Sequence, residues 1–205
     1  MQVPVVSAKM VRTAQHLVTC STCGRILHDN AGAVASSRKV EDADDENVSK
    51  VRGIARFSDE RLMVADLKAS TMQDAVAELS RTMAENGFVS DGEALARLAL
   101  EREAVLTTRM GAGVAVPHVR GVEGGALAFA LGISKEGIVW DDSGEKVNFI
   151  VLSAIPSAGA AFFLKLMSDL MAVFRRKASR AALLEAEDSA ALWSALDKAT
   201  GRIIR

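Results

Sequence analysis

Between Val114 and Pro156 the chain is written in apolar runs too short for long helices, with turn residues between them. On either side lie segments whose apolar residues recur every three or four positions. Short apolar runs bounded by glycine or polar turns read as buried strands, whereas the three-to-four spacing reads as helices with one buried stripe. The runs at 114–116, 126–133, 138–141 and 147–155 are the expected strands, with a turn near Gly144 between the last two. A chain that orders its elements helices, strands, helices buries them together only by laying helices on a sheet. The expected fold class is therefore α/β, one central sheet with helices packed on it.

Before the strands, Met72, Ala75, Val76, Leu79 and Met83 form a helical stripe that Gly87 is expected to end. Ser90 and Glu93 have capping-box spacing, and Leu95, Leu98 and Val105 continue an apolar face into a second helix with Arg102 near its end. After the strands, Phe163, Leu166, Met167, Leu170, Met171 and Phe174 keep helical spacing, with Lys165 and Asp169 on the opposite side. Ser189 is expected to cap a last helix whose inner side carries Leu192, Trp193 and Leu196.

A chain of 205 residues with 49% hydrophobic content can bury a core of its own. The segment Ser36–Lys50 is dense in charge and has no aromatic residue, which reads as a solvated linker. The expected division is an amino-terminal extension and charged linker over 1–58, partly disordered, and one globular domain over 59–205. With 25 basic against 26 acidic residues the net charge is −1, so no overall attraction to nucleic acid or anionic lipid is expected. The runs around 126–133 and 149–156 fall far short of the ~20 residues of a membrane helix, and no signal-like amino terminus is read; a cytoplasmic location is expected. Two cysteines cannot supply a disulfide framework for a chain of this size.

The segment Gly111–Arg120, GAGVAVPHVR, delivers His118 from the end of a short strand, behind two close glycines and between Arg109 and Arg120. A neutral imidazole is a nitrogen nucleophile at neutral pH and can carry a covalent intermediate. A histidine beside a proline also commonly does no more than finish a polar strand end, so both readings stand at this point. Gly111 and Gly113 could present backbone N–H groups to an anion or could only permit a tight turn. Glu101, Arg102 and Glu103 read without further information as a solvated helix face.

The wider segment LEREAVLTTRMGAGVAVPHVR, over 100–120, resembles the IIA domain of the fructose, mannitol and nitrogen-regulatory branch of the bacterial sugar phosphotransferase system. The resemblance spans about residues 60–205, and its most specific elements are the GxGVAVPH segment and the upstream ERE. It implies a central mixed β-sheet flanked by helices on both faces. It implies that His118 is the phosphoryl acceptor, that Arg102 lies against the phosphoryl oxygens and that Thr107 and Thr108 are hydroxyl candidates; Arg109 and Arg120 are second-rank candidates by their closeness to His118 in sequence. It also implies an HPr-like donor protein, a IIB-type acceptor or regulatory target, and no cofactor. Many relatives place a second histidine at the start of the helix after the last strand; the matching position here is Phe163, which can neither donate nor accept that hydrogen bond.

The alternative function is a non-catalytic regulatory binding module on the same scaffold. A zinc-dependent nucleic-acid regulator is a more distant one. His16, Cys20, Cys23 and His28 are zinc-ligand types, but their spacing matches no known module, and no metal site is assigned. Arg175, Arg176, Lys177 and Arg180 are expected to face the negative end of the long helix.

Overall fold

The computed structural model describes residues 53–205 apart from Gly124, Arg202 and Arg205, together with the backbone of three strands nearer the amino terminus. The chain divides into two units, Met1–Ser49 and Lys50–Arg205. In the first, β1 (Met10–Arg12), β2 (Leu17–Cys20) and β3 (Ile26–His28) pair antiparallel in that order. The expected linker, His16, Cys23 and the side chains of Cys20 and His28 lie outside the described residues.

The second unit reaches further back than residue 59. A 3₁₀ turn at Gly53–Arg56 buries Ile54 completely, and the buried Ser58 hydroxyl donates to the Phe129 carbonyl at 2.7 Å. Its sheet has six strands: β4 (Met63–Val64), β5 (Arg109–Met110), β6 (Val114–Ala115), β7 (His118–Val122), β8 (Ala128–Val139) and β9 (Lys146–Pro156). The order is β4-β8-β9-β6-β5, and β7 continues the line of β6 along β9. β8 and β9 form an antiparallel hairpin, while β4 on β8 and both β6 and β7 on β9 are parallel, so the sheet is mixed. The two runs expected at 126–133 and 138–141 are one strand, β8, whose register slips between Ile133 and Ile138. Gly144 makes the β8–β9 turn at φ +74°.

β9 is buried on both faces, as a central strand covered by two helical layers must be. On one face Phe149 meets Phe174 of α3 (Ala160–Phe174), ring centroids 5.2 Å apart, with α4 (Lys177–Leu184) and α5 (Ser189–Thr200) beside it. The other face is covered by α1 (Met72–Glu85) and α2 (Gly92–Val105). α1 buries Ala75, Val76, Leu79 and Met83 and is capped by Thr71, whose hydroxyl accepts from the Asp74 N–H. The α1–α2 crossing is so close that a Cβ on Gly92 would stand 2.8 Å from the Ser80 carbonyl oxygen.

Several local expectations shift by one residue. α2 starts at Gly92, so its cap is Asp91, which accepts from the Ala94 N–H at 2.9 Å; Ser90 is out of phase with the box. α5 is capped likewise by Asp188, and Ser189 instead donates its hydroxyl to the Met63 carbonyl at 2.6 Å. On α2 the buried stripe is Leu95, Ala99 and Glu103, while Leu98 and Val105 are exposed. That stripe ends on the carboxylate of Glu103, which reads from the sequence as part of a solvated helix face and is instead buried.

The stretch Ser157–Phe174 is the one among the described residues long and apolar enough to cross a membrane, which the runs read from the sequence had not indicated. Phe163, Leu166, Leu170, Val173 and Phe174 are its buried face, while Phe162 and Leu164 are exposed. Arg180 donates to the Phe174 and Arg175 carbonyls at 2.6 and 3.2 Å, so this member of the basic cluster caps the end of α3.

Candidate functional site

Pro117 separates β6 from β7 because it has no N–H for the ladder, and its carbonyl accepts from the Ser153 N–H at 3.0 Å. His118 follows in register with Ser153 of β9. Registered residues share a face, and residues two apart on a strand do too. His118, Ser153 and Phe149 therefore face α3, Val119 is buried on the other side, and the exposed Arg120 shares the face of His118.

The imidazole is half-buried and rests against Phe163, ring centroids 5.0 Å apart and tilted by 37°. Its Nδ1 lies 3.0 Å from the Val116 carbonyl oxygen. A carbonyl only accepts, so this hydrogen bond puts the proton on Nδ1 and leaves the lone pair on Nε2. Burial pushes the His118 pKa below its ordinary 6.5; the Arg102 and Arg120 charges act in the same direction, while the Val116 bond and the Glu103 carboxylate oppose them. The ring is neutral at neutral pH with its nucleophilic nitrogen defined.

The structure does not bring all the expected residues together. Arg102 sits near the end of α2, donates from Nη1 to the Leu106 carbonyl at 2.9 Å, and its charge is felt at His118. Arg109, nearer in sequence, points elsewhere: its Nε donates to Asp141 Oδ2 at 2.9 Å and its Nη1 pairs with Glu145. Hydrogen bonds from Ser143 and then Arg109 hold the Asp141 carboxyl far below the usual carboxylate range. Thr108 is buried with its hydroxyl donated to Glu103 Oε2 at 2.6 Å, and Thr107 donates to Glu103 and Asp141 at 3.2 and 3.0 Å. Neither threonine points a spare hydroxyl donor at His118.

Gly111 and Gly113 belong to the β5–β6 turn, not to an anion nest at the histidine. Gly113 has φ +72°, and its carbonyl accepts from the Asn148 and Phe149 N–H groups at 2.8 and 3.1 Å. Val114 is in register with Phe149 and His118 with Ser153, so the turn lies beside a part of β9 roughly 13 Å from the histidine at ~3.3 Å per residue.

Two residues with no site role assigned from the sequence stand close to these groups. Glu103 is buried and accepts from the Thr108 N–H at 2.6 Å, the Thr108 hydroxyl, the Thr107 hydroxyl and Trp140 Nε1 at 2.7 Å. The signal was its place eight residues after Leu95 on the inner stripe of α2, masked by the charged residues around it. Ser153 is fully buried, and its hydroxyl has no hydrogen-bond partner among the described residues. A cleft of about 960 Å³ opens between the start of α1, the end of α2 and the β8–β9 turn, lined by Glu103, Thr107, Arg109, Trp140 and Asp141 but not by His118.

Known proteins place the family and the fold. The family described as phosphoenolpyruvate-dependent sugar phosphotransferase system, EIIA 2, matches residues 56–199. The fructose-specific EIIA component of the phosphotransferase system of Haloferax volcanii is 32% identical over 142 residues, covering 67% of this chain and 90% of that protein. Among solved structures, the nitrogen regulatory protein IIA-Ntr of Neisseria meningitidis superposes with a TM-score of 0.59 at 21% identity, covering 68% of this chain and 96% of that one. The enzyme IIA-mannitol chain of Escherichia coli, solved in complex with phosphorylated enzyme IIB-mannitol, gives 0.55 at 15% identity, covering 67% and 95%. At those identities the structures speak for the shared fold. The match over 56–199 and the kinship with the fructose-specific component place this protein in the type 2 EIIA family of the phosphoenolpyruvate-dependent sugar phosphotransferase system.

Proposed function

We propose that this protein is a phosphocarrier in which Nε2 of His118 accepts a phosphoryl group from the phosphohistidine of an HPr-like protein and returns it to a IIB-type acceptor or uses it as a regulatory switch. The observation that carries this reading is the fixed imidazole: Nδ1–H held by the Val116 carbonyl, the lone pair left on Nε2 with no hydrogen-bond partner among the described residues, and two guanidinium charges acting on the ring.

In the forward step the Nε2 lone pair attacks phosphorus in line, the Nε2–P bond forms, and the P–N bond of the donor breaks with its electron pair returning to the donor imidazole. The His118 ring becomes cationic, and its Nδ1 proton stays in place, so no proton has to move. Phosphoryl transfer asks mainly for such positioning and for positive groups beside the equatorial oxygens. Arg102 and Arg120 fill that role in this reading, and Arg109 does not. In the reverse step a neutral imidazole leaves, which the Val116 carbonyl favours by keeping the proton on Nδ1. The mannitol complex named above supports a IIB-type acceptor by analogy. The relay so read is cytoplasmic.

Phe163 favours a second reading. An apolar ring stands against the imidazole and offers no hydrogen bond to a phosphoryl group, which suits a regulatory binding module that has lost productive relay. Incubation with phosphoenolpyruvate and the donor pair separates the two. Acid-labile label on the wild type and none on His118→Ala supports the carrier. No label, under conditions that charge a control IIA domain, supports the binding module.

A further inference from the structure

Glu103 occupies a core-facing position of α2 where an aliphatic side chain would serve packing as well or better, since a buried carboxylate must recover its lost hydration from donors. Those donors come from two separate segments, Thr107 and Thr108 on the approach to β5 and Trp140 just past the end of β8. What the carboxylate accomplishes beyond packing is a connection. The Thr108 N–H donates to Glu103 Oε1 at 2.6 Å; the Thr108 carbonyl accepts from the Val116 N–H at 3.2 Å; the Val116 carbonyl accepts from His118 Nδ1 at 3.0 Å. An unbroken hydrogen-bonded line thus runs from Glu103 to the imidazole. The other end of the line is covalent, because Glu103 is the neighbour of Arg102.

We infer that Glu103 is the positioning residue of the phosphoryl site: by gripping Thr108 it fixes the His118 ring, in its Nδ1–H form, relative to the Arg102 guanidinium. It touches neither the phosphoryl group nor Nε2, and it acts through Thr108 and Val116. The inference rests on the reading of His118 as the acceptor. It adds to that reading a requirement which neither His118 nor Arg102 alone supplies: the two must be held in one frame.

The test uses the full chain in wild-type, Glu103→Ala and Glu103→Gln forms. Labelling rate with phosphoenolpyruvate and the donor pair is normalised to the folded fraction, and the His118 tautomer is read from ¹⁵N shifts. In Glu103→Gln the amide oxygen can take the Thr108 N–H and Trp140 Nε1 donors, the Thr107 hydroxyl can stay with Asp141, and the Thr108 hydroxyl can turn to accept from the amide NH₂. The rate in that variant stays within about threefold of wild type with Nδ1–H retained. Glu103→Ala frees the segment, and a loss of placement of this kind lowers the rate roughly tenfold or more and mixes the two tautomers. A wild-type rate in Glu103→Ala overturns the inference, as does a loss explained by the folded fraction, or an equal loss in both variants, which would assign the effect to charge. If Glu103→Ala yields no folded protein, Thr108→Val removes one grip; a few-fold slower rate is expected there, and no change overturns the inference. Absence of label on wild type defeats the acceptor reading instead, while the tautomer measurement needs no donor and still decides the role of Glu103.

Discussion

Arg102 and Arg109 lie at opposite ends of one short connection between α2 and β5, and their surroundings differ sharply. Arg102 caps its own helix and lends its charge to His118 from sixteen positions away in sequence. Arg109 stands nine positions from His118, yet it is taken up by Asp141 and Glu145 at the β8–β9 turn. The difference comes from strand register. β5 and β6 pair beside Phe149, and β7 pairs beside Ser153, so residues close to the histidine along the chain are carried to the far end of β9. One arginine's charge is felt at His118, and the other is taken up by two carboxylates at the far end of β9.

The largest expected effect of breaking this contrast is at Arg102. Arg102→Ala lowers the initial rate of His118 labelling about 100-fold, the usual size for losing one preorganised charged donor. Stopped-flow labelling checks it, and a rate within threefold of wild type would remove Arg102 from the site. Arg120 shares the face of His118 but is exposed, and Arg120→Ala should cost about tenfold, since water screens it more strongly. The salt dependence of that rate is its second signature.

Phe163 sharpens the contrast from the apolar side. Phe163→Leu is expected to lower stability by about 1 kcal/mol, read from denaturant midpoints. By opening the ring to water it should also raise the His118 pKa toward 6.5. In the wild type the folded state binds that proton less readily than the unfolded state. The contribution of His118 is thus fully present above pH ~6.5 and is lost as pH falls from there through the folded pKa. The acid limb of the labelling profile accordingly lies below pH 6.5 in wild type and moves upward in Phe163→Leu, a shift that a pH series detects. The smallest effect is at Arg109: Arg109→Ala leaves labelling within about threefold, because its guanidinium is engaged by Asp141 and Glu145 and supplies no charge to the transferred group. A loss there as large as that at Arg102 would make the contrast between the two arginines untenable.

The periodic parts of the fold were legible in the sequence because burial imposes the spacing. The stripe from Met72 to Met83 and the run from Phe163 to Phe174 became α1 and α3. α4 was not legible, since Leu183 is its one fully buried residue and one position makes no period. β4 is two residues long and exists because β8 offers it an edge. The caps at Asp91 and Asp188 were missed by one position because neighbouring serines compete on paper, and only the first hydrogen-bonded turn decides between them.

At the site, His118 and Arg102 could be named from the motif that carries the resemblance. The turn role of Gly111 and Gly113 and the engagement of Arg109 depend on register, which single-strand patterns do not encode. Glu103 hid between two charged neighbours, and its burial is visible only when the phase of α2 is known.

The most direct test of the central claim is the site of phosphorylation on the ring. Protein charged through phosphoenolpyruvate and the donor pair, with ¹⁵N in its imidazoles, should show phosphorus bonded to Nε2 of His118 and a retained proton on Nδ1 by ³¹P and ¹⁵N spectroscopy. Phosphorus on Nδ1, or on any residue other than His118, would contradict the account.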